Sequence, residues 1–270
     1  MKQFVFVSGP RDHIGSGPRH DYPDDLRTLA YALEHSSNVK GVTTRLVEGQ
    51  LPRDLNALTN ASVIVLESSS EHLARETHAL FPNNNGTDGK TYGPEDTAFL
   101  KGVDALVQKG MGVVVFHYTI QLANETAKQY FLSWLGGGWK DDYSTNPLGD
   151  WSIALAPGSE NHPILSGVKP WTYHEEIFCK YYFPPEMKTT PLLIGTYTGN
   201  GNGNTNLGPQ VAAFAYQRPG GGRAFVYGGN DYHVNLQKED VRRFELNGLI
   251  WAAGMEVPAG GVQSSIPPEM

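Results

Sequence analysis

Several short polar segments of the chain carry residue types that can bind a metal ion or transfer a proton. The first is a Gly/Pro-rich segment that contains His13 and His20. Glycine and proline at this density fix a loop and let its backbone approach a ligand. An imidazole there could ligate a metal or move a proton, although either histidine alone is also ordinary for a surface loop. A functional role is favoured for His20, because the N-terminus of a predicted helix follows it and adds positive potential near any anionic ligand. We keep both histidines as candidate substrate-binding residues.

His117 and Tyr118 directly follow the apolar run Gly112–Phe116. Packing explains a histidine at this point poorly, whereas binding residues concentrate on loops carried by a rigid scaffold. We therefore predict catalytic roles for both. Nucleophile-elbow enzymes place Ser or Cys at such a turn, and this chain has neither there. A serine hydrolase or glutamine amidotransferase is disfavoured, since the one cysteine, Cys179, lies beside an acidic motif instead.

Glu175 and Glu176 form an acidic pair within a polar, aromatic segment. Glu176 could be a metal ligand, a general base or a partner for sugar hydroxyls. The pair is equally ordinary as a solvated feature of a loop. We predict a catalytic role for Glu176.

The segment Gly228–His233 follows the last predicted strand. Its glycines leave room for a ligand, and its polar side chains offer donors and acceptors. The same composition is also ordinary for a tight turn. We predict catalytic roles for Asp231 and His233, and substrate binding by Asn230 and Tyr232.

An alternation of buried strands and amphipathic helices would bring these segments together. Short apolar runs predict strands, and apolar residues at helical spacing predict helices. The predicted strands are Phe4–Val7, Gly41–Leu46, Ala61–Leu66, Gly112–Phe116, Trp151–Leu155, Pro191–Tyr197, Gln210–Tyr216 and Gly222–Tyr227, and the predicted helices are Asp24–His35, Pro94–Lys109, Ala123–Leu135 and Asp240–Ala253. This order predicts an α/β fold with a mainly parallel central sheet and some antiparallel strands at one edge.

Ligands of open α/β sheets bind beyond the carboxyl ends of the strands. Glu67, at the end of the third predicted strand, therefore joins the candidate substrate-binding residues. In the last helix, Gly248 predicts a close approach to the sheet. The Gly/Asn-rich segment Gly199–Gly208 is expected to be a flexible loop that could serve as a lid.

Length, charge and cysteine content exclude several classes of protein. The 270 residues suit one domain over 1–270, with 258–270 as a surface tail. A net charge of −7 argues against nucleic acid or an anionic membrane as partner, and no apolar run is long enough to cross a membrane. A single cysteine excludes an intrachain disulfide. No dinucleotide fingerprint or phosphate loop is present, so no nucleotide cofactor is expected.

Seven motifs, in their order along nearly the whole chain, resemble the ThuA-like family of trehalose-utilisation proteins. They are Gly112–Tyr118, Phe131–Gly137, Asn161–Ile164, Gly167–Trp171, Glu175–Phe178, Gly222–Gly229 and Leu246–Ala252. The resemblance implies a flavodoxin-like three-layer sandwich, related to class I glutamine amidotransferases but without their catalytic cysteine. It implies action on a trehalose-like glycoside or its 3-keto derivative. It also implies a divalent metal, with zinc as the first candidate, near the positions that match His20, His117 and Glu176.

Two departures from the family pattern keep a second interpretation open. The family often has Gly-His after the last strand, where this chain has Gly229-Asn230, and similar members carry Glu where this chain has Gln121. Two interpretations therefore remain open. The protein is a metal-assisted isomerase, lyase or hydrolase, or it is a non-catalytic sugar-binding or regulatory protein. The expected partner is a small sugar, and a homo-oligomer is allowed. The expected compartment is the cytoplasm, or the periplasm if a signal peptide was removed.

Overall fold

A computed structural model describes residues 1–12, 19–84 and 91–268, and in this part of the chain one nine-stranded sheet is flanked by four α-helices. The strands are β1 Lys2–Ser8, β2 Val42–Glu48, β3 Ala61–Glu67, β4 Gly112–Phe116, β5 Leu148–Leu155, β6 Trp171–Glu176, β7 Thr189–Gly199, β8 Gln210–Gln217 and β9 Arg223–Tyr227. The helices are α1 Tyr22–Glu34, α2 Pro94–Gln108, α3 Glu125–Leu135 and α4 Glu239–Ala252. None of these helices has the length and apolar character needed to span a membrane.

The sheet has the order β2-β1-β3-β4-β9-β8-β7-β5-β6 and is mixed. The pairs among β2, β1, β3, β4 and β9 are parallel, and the pairs from β9 through β6 are antiparallel. The prediction of a mainly parallel sheet is therefore correct for only one half. In the other half, connections without α-helices join the strands, and parallel pairing normally requires a longer crossover.

Alternate side chains of the central strands face two separate layers of the core. Phe4 and Phe6 pack in the layer that contains α1 and α4. Val5 and Val7 pack in the layer that contains α2 and α3. Because both faces are covered, these strands are apolar along their whole length. For this reason β1, β3 and β4 could be predicted to within two residues.

Two glycines set close contacts between α4 and the sheet. A Cβ atom at Gly248 would lie 2.2 Å from a ring carbon of Phe225, which confirms the predicted close approach. A Cβ atom at Gly112 would lie 2.2 Å from the carbonyl oxygen of Ala252. Helix α4 therefore packs closely against β4 and β9. The carboxyl ends of these two strands lead into His117 and Asp231.

β6 and the C-terminal segment differ from what the sequence predicts. The sequence predicts no strand at β6, because this segment carries few apolar residues. Residues 258–270 were expected to form a surface tail, but Val262 is only 1% exposed. The Val262 N–H donates to Asn247 Oδ1 at 2.8 Å. Part of this segment therefore packs against α4.

Candidate metal centre

Four side chains meet near the carboxyl ends of β1, β4, β6 and β9. His20 comes from the loop after β1, His117 follows β4, Glu176 ends β6 and Asp231 follows β9. One ligand atom of each lies within 4.8 Å of the others. Glu176 is the most exposed of the four at 9%. The structure thus brings together the three residues expected as metal ligands, and Asp231, expected to be catalytic, adds a fourth donor. The group could hold a metal ion.

Hydrogen bonds on the far side of both imidazoles direct their Nε2 atoms toward each other. His117 Nδ1 lies 3.3 Å from the carbonyl oxygen of Gly228, and His20 Nδ1 contacts the carboxylate of Asp12. Because a carbonyl oxygen and an ionised carboxylate only accept, both Nδ1 atoms carry hydrogen. The two Nε2 atoms lie 3.2 Å apart, so a proton or a cation is needed between them. Imidazoles held in this way are typical of metal sites.

The surroundings shift the pKa values of the two imidazoles in opposite directions. Burial lowers the pKa of His117 to about 4, which keeps it in the neutral form that binds metals. Burial would also lower the pKa of His20, but the carboxylates of Asp12, Asp231 and Glu176 outweigh burial and raise this pKa to about 11. Without a cation His20 is therefore protonated. Metal binding would have to release that proton.

Arg19, which the sequence analysis did not single out, pairs with both carboxylates of the cluster. Its Nε donates to Asp231 Oδ2 at 2.6 Å, and its Nη2 donates to Glu176 Oε2 at 3.3 Å. Its backbone forms an isolated bridge with Tyr232, and its guanidinium lies 5.8 Å from the centroid of that ring. Arg19 therefore orients the carboxylates and joins the loop after β1 to the loop after β9. In the sequence, the one feature that could have indicated this role is its position next to His20.

Glu175 holds the backbone of the site through hydrogen bonds. Its side chain is 0% exposed, so the interpretation of the acidic pair as solvated is wrong for this residue. Its Oε1 accepts from the backbone N–H groups of Asp231 and Glu176, both at 2.9 Å. Its Oε2 accepts from Asn235 Nδ2 at 3.0 Å. One buried carboxyl thus holds the backbone of two candidate ligands.

Three polar residues of the site have left-handed backbone conformations. His20, His117 and Asn230 have φ values of 53°, 50° and 90°. Such conformations cost about 1–3 kcal/mol for residues with a side chain, and they concentrate at functional sites. The surrounding packing therefore imposes the directions in which both imidazoles point.

Family membership agrees with this geometry. The sequence matches the ThuA family, described as trehalose utilisation, over residues 42–252. The chain belongs to the ThuA family. No curated protein shows a significant sequence match to it.

Solved structures with the same fold include two ThuA-like proteins. The one from Parabacteroides merdae has a TM-score of 0.56 at 15% identity and covers 98% of this chain and 97% of its own. The one from Bacteroides uniformis has a TM-score of 0.61 at 11% identity over 93% and 91%. A β-galactosidase from Bacillus circulans gives 0.52 at 11% identity, over 99% of this chain but 34% of its own. At such identities the likeness shows the fold alone.

Two predicted substrate-binding residues of this ThuA-family chain lie behind the metal centre. Asn230 and Glu67 are both buried. Asn230 Nδ2 donates to Glu67 Oε1 at 2.7 Å. They therefore contact each other and do not line an open surface. Tyr232 is half-buried beside Arg19, where its ring remains available to a ligand.

The remaining candidates are not donors of the four-residue cluster, although the ring of Tyr118 lies 5.9 Å from that of His20. The Tyr118 hydroxyl donates to Glu76 Oε1 at 2.7 Å, and burial raises its pKa well above the ordinary value, so it serves as a hydrogen-bond donor and not as a base. His233 Nδ1 pairs with Asp25 Oδ1 at 2.6 Å. His13 lies outside the described residues. Cys179 is buried, and burial raises its pKa to about 12, which makes its thiol a poor nucleophile.

Replacing Asp12 by Asn tests the support of His20. The amide oxygen can still accept from His20 Nδ1, but the charge that favours metal-bound imidazole is lost. We expect zinc affinity to fall about 10–100-fold, the usual effect of losing such a partner. Competition titration with a chromogenic chelator measures this directly. The exposed Asp54, replaced by Asn, is the control, and equal affinities of both variants would contradict the role of Asp12.

Proposed function

We propose that this ThuA-family protein is a metal-dependent enzyme that acts on a trehalose-like glycoside or its 3-keto derivative. One observation carries the proposal: two imidazoles and two carboxylates from four distant segments converge within 4.8 Å. The family's description, trehalose utilisation, supports a carbohydrate substrate. A small sugar is the expected partner.

The donor set fits a divalent transition metal. Two imidazole nitrogens and two carboxylate oxygens suit zinc, and they also suit manganese or nickel. Asp231 Oδ1 is buried, and in the absence of a cation the Nε2 atom of protonated His20 is its contact, at 3.1 Å. A buried carboxylate oxygen in this position is costly unless a cation or proton satisfies it. A divalent cation held by these four residues would polarise a substrate carbonyl or lower the pKa of a bound water.

As an alternative to ligating the metal, Glu176 is the member of the cluster best placed to move a proton. It is the only member of the cluster outside the fully buried interior, and its Oε1 accepts from Asn146 Nδ2 at 3.3 Å. In a 3-keto sugar, the C–H group beside the carbonyl is acidified. Removal of that proton leads to isomerisation or to β-elimination of the glycosidic group. Tyr232 at the rim offers a ring face on which a sugar can stack. Hydrolysis through a bound water is the alternative reaction of the same residues.

Metal removal tests this proposal. Turnover of trehalose and of 3-keto-trehalose would be followed by chromatography with purified protein, chelator-treated protein and protein reloaded with zinc, manganese or nickel. We expect turnover of the keto sugar that disappears on chelation and returns with one of the metals. Turnover that survives complete metal removal would contradict the proposal.

A non-catalytic sugar-binding protein is the second candidate. Asn230 stands where the family often has histidine, and its amide is buried against Glu67. Compared with family members that carry this histidine, the site has one imidazole fewer for proton transfer. Saturable binding of sugar without turnover under any of the three metals would favour this candidate.

A further inference from the structure

A cavity of about 330 Å³ lies beside Glu176, and the described residues that line it carry no charge. Its polar wall consists of Thr145, Asn146, Asn202 and Asn204, and its apolar wall consists of Pro147 and Leu207. We call it the amide pocket. The absence of a charged side chain distinguishes it from the metal centre.

Asn146 connects the amide pocket to the metal centre. It lines the pocket, and its Nδ2 donates to Glu176 Oε1 at 3.3 Å. The Ile177 N–H donates to the carbonyl oxygen of Pro147, another lining residue, at 3.2 Å. The pocket therefore adjoins the end of β6, and a ligand at Glu176 with more than one ring can extend toward it.

The loop that closes the pocket is held in place at its centre. The Asn202 N–H donates to the carbonyl oxygen of Leu148 at 2.9 Å, and the Leu148 N–H donates to Asn202 Oδ1 at 2.8 Å. The Gly203 N–H donates to the Tyr197 hydroxyl at 3.0 Å. A Cβ atom at Gly201 would lie 1.9 Å from the Leu148 oxygen, so glycine is required there. The segment expected to be a flexible lid therefore forms a wall of the pocket that is hydrogen-bonded to β5 and β7.

The hydrogen bonds within this wall leave polar groups available in the pocket. Asn202 and Asn204 use their Oδ1 atoms to accept backbone N–H groups, each at 2.8 Å. Among the residues that the structure describes, their Nδ2 groups have no hydrogen-bond partner and remain as donors. Asn146 uses its Nδ2, so its Oδ1 remains as an acceptor. Neutral donors, acceptors and apolar patches together match a sugar ring, which presents both hydroxyl groups and C–H faces. An anionic ligand would find no cation there.

We infer that the amide pocket binds the second sugar unit of a disaccharide whose first unit lies at the metal centre. The inference rests on the proposed function and narrows its substrate class to glycosides with two sugar units. Asn202 and Asn204 donate to hydroxyl groups of the ring that does not react, and Pro147 and Leu207 contact its C–H face. The pocket volume lies at the lower end of the range for ligand sites, as expected for one ring.

Titration of trehalose by calorimetry tests the inference on protein loaded with zinc. Asn202→Asp and Asn204→Asp keep the oxygen that holds the loop but remove the Nδ2 donors. Thr145→Val removes a hydroxyl without touching the loop, so the test stands even if a loop variant does not fold. Each of the three variants is expected to raise the Kd for trehalose at least about fivefold, the effect of losing one neutral hydrogen bond. Their zinc content is expected to stay that of the wild type.

Asn206→Asp is the matched control, because Asn206 lies in the same loop, is exposed and does not line the pocket. The inference is overturned if the folded variants bind trehalose as the wild type does, or if the control weakens binding equally. It is also overturned if the variants lose zinc in parallel with trehalose. If the wild type binds neither trehalose nor its 3-keto derivative, the proposed function itself fails. Wild-type binding with unaffected variants defeats only the pocket assignment.

Discussion

Replacing His117 by Ala is expected to remove the bound metal almost completely and to abolish turnover. The imidazole is fully buried, neutral at physiological pH, and aimed at the other three donors by its bond to Gly228. Alanine deletes one of the four candidate ligands and leaves the position without a donor. The loss in affinity should exceed the 10–100-fold that removal of a supporting partner costs. Elemental mass spectrometry of purified protein measures the metal directly.

His35→Ala is the control for this experiment. His35 is exposed at the end of α1, where its Nδ1 contacts the backbone oxygen of Tyr31. This variant should keep the metal content and activity of the wild type. Circular dichroism would establish that both variants are folded. Wild-type metal content in the His117→Ala variant would exclude the proposed site.

Replacing Glu245 by Gln is expected to stabilise the protein at neutral pH but not at acidic pH. Glu245 lies in α4 and is 0% exposed, and neither carboxyl oxygen has a hydrogen-bond partner in the described part of the chain. Burial, with Asp25 and Glu175 nearby, raises its pKa well above the usual range. The folded protein therefore keeps this proton, whereas the unfolded chain releases it above a pH of about 4.3. Glutamine has nearly the same shape and no proton to lose.

The expected change in stability follows from proton linkage. The folded state binds one more proton than the unfolded state between the two pKa values, so the stability contributed by this proton is full at low pH and falls as pH rises. The slope is about 1.36 kcal/mol per pH unit. The free energy of unfolding of the variant relative to the wild type should therefore be larger at about pH 6.5 than at about pH 4.5. Urea unfolding at both pH values measures the difference. The exposed Glu186→Gln serves as control, and a pH-independent difference for Glu245→Gln would show that the carboxyl is ionised in the fold.

The parallel half of the fold was predictable because its strands are buried on both faces. The bounds of β4 were predicted without error, and its position placed His117 at the end of the strand. The rule that ligands bind beyond the carboxyl ends of strands then indicated His117 and Asp231 together. Nothing comparable marks β6, since a strand with a tryptophan, a tyrosine and two glutamates does not show a continuous apolar pattern.

Side-chain direction explains the other differences between the predicted and observed site. Glu67 and Asn230 are polar residues at strand ends, yet they face each other in the interior. The left-handed conformation of Asn230 contributes to this direction, and neither composition nor spacing reveals it. Arg19 acts through Asp231 and Glu176, 212 and 157 residues away, and Asp12 acts through His20, 8 residues away. The pairings of Arg19 depend on how distant segments of the chain meet, which residue types alone do not determine.

The place of β9 in the sheet has a consequence for how the protein is made. This strand is the last in the chain, yet it lies between β4 and β8 near the middle of the sheet. Until the ribosome has released it, β4 and β8 each present an unpaired edge, a known template for aggregation. Asp231 follows the same strand, so a nascent chain cannot assemble all four donors. The strand that joins the two halves of the sheet and the last of the four donors are therefore synthesised together. Just before that point, the growing chain exposes both unpaired edges and is prone to associate.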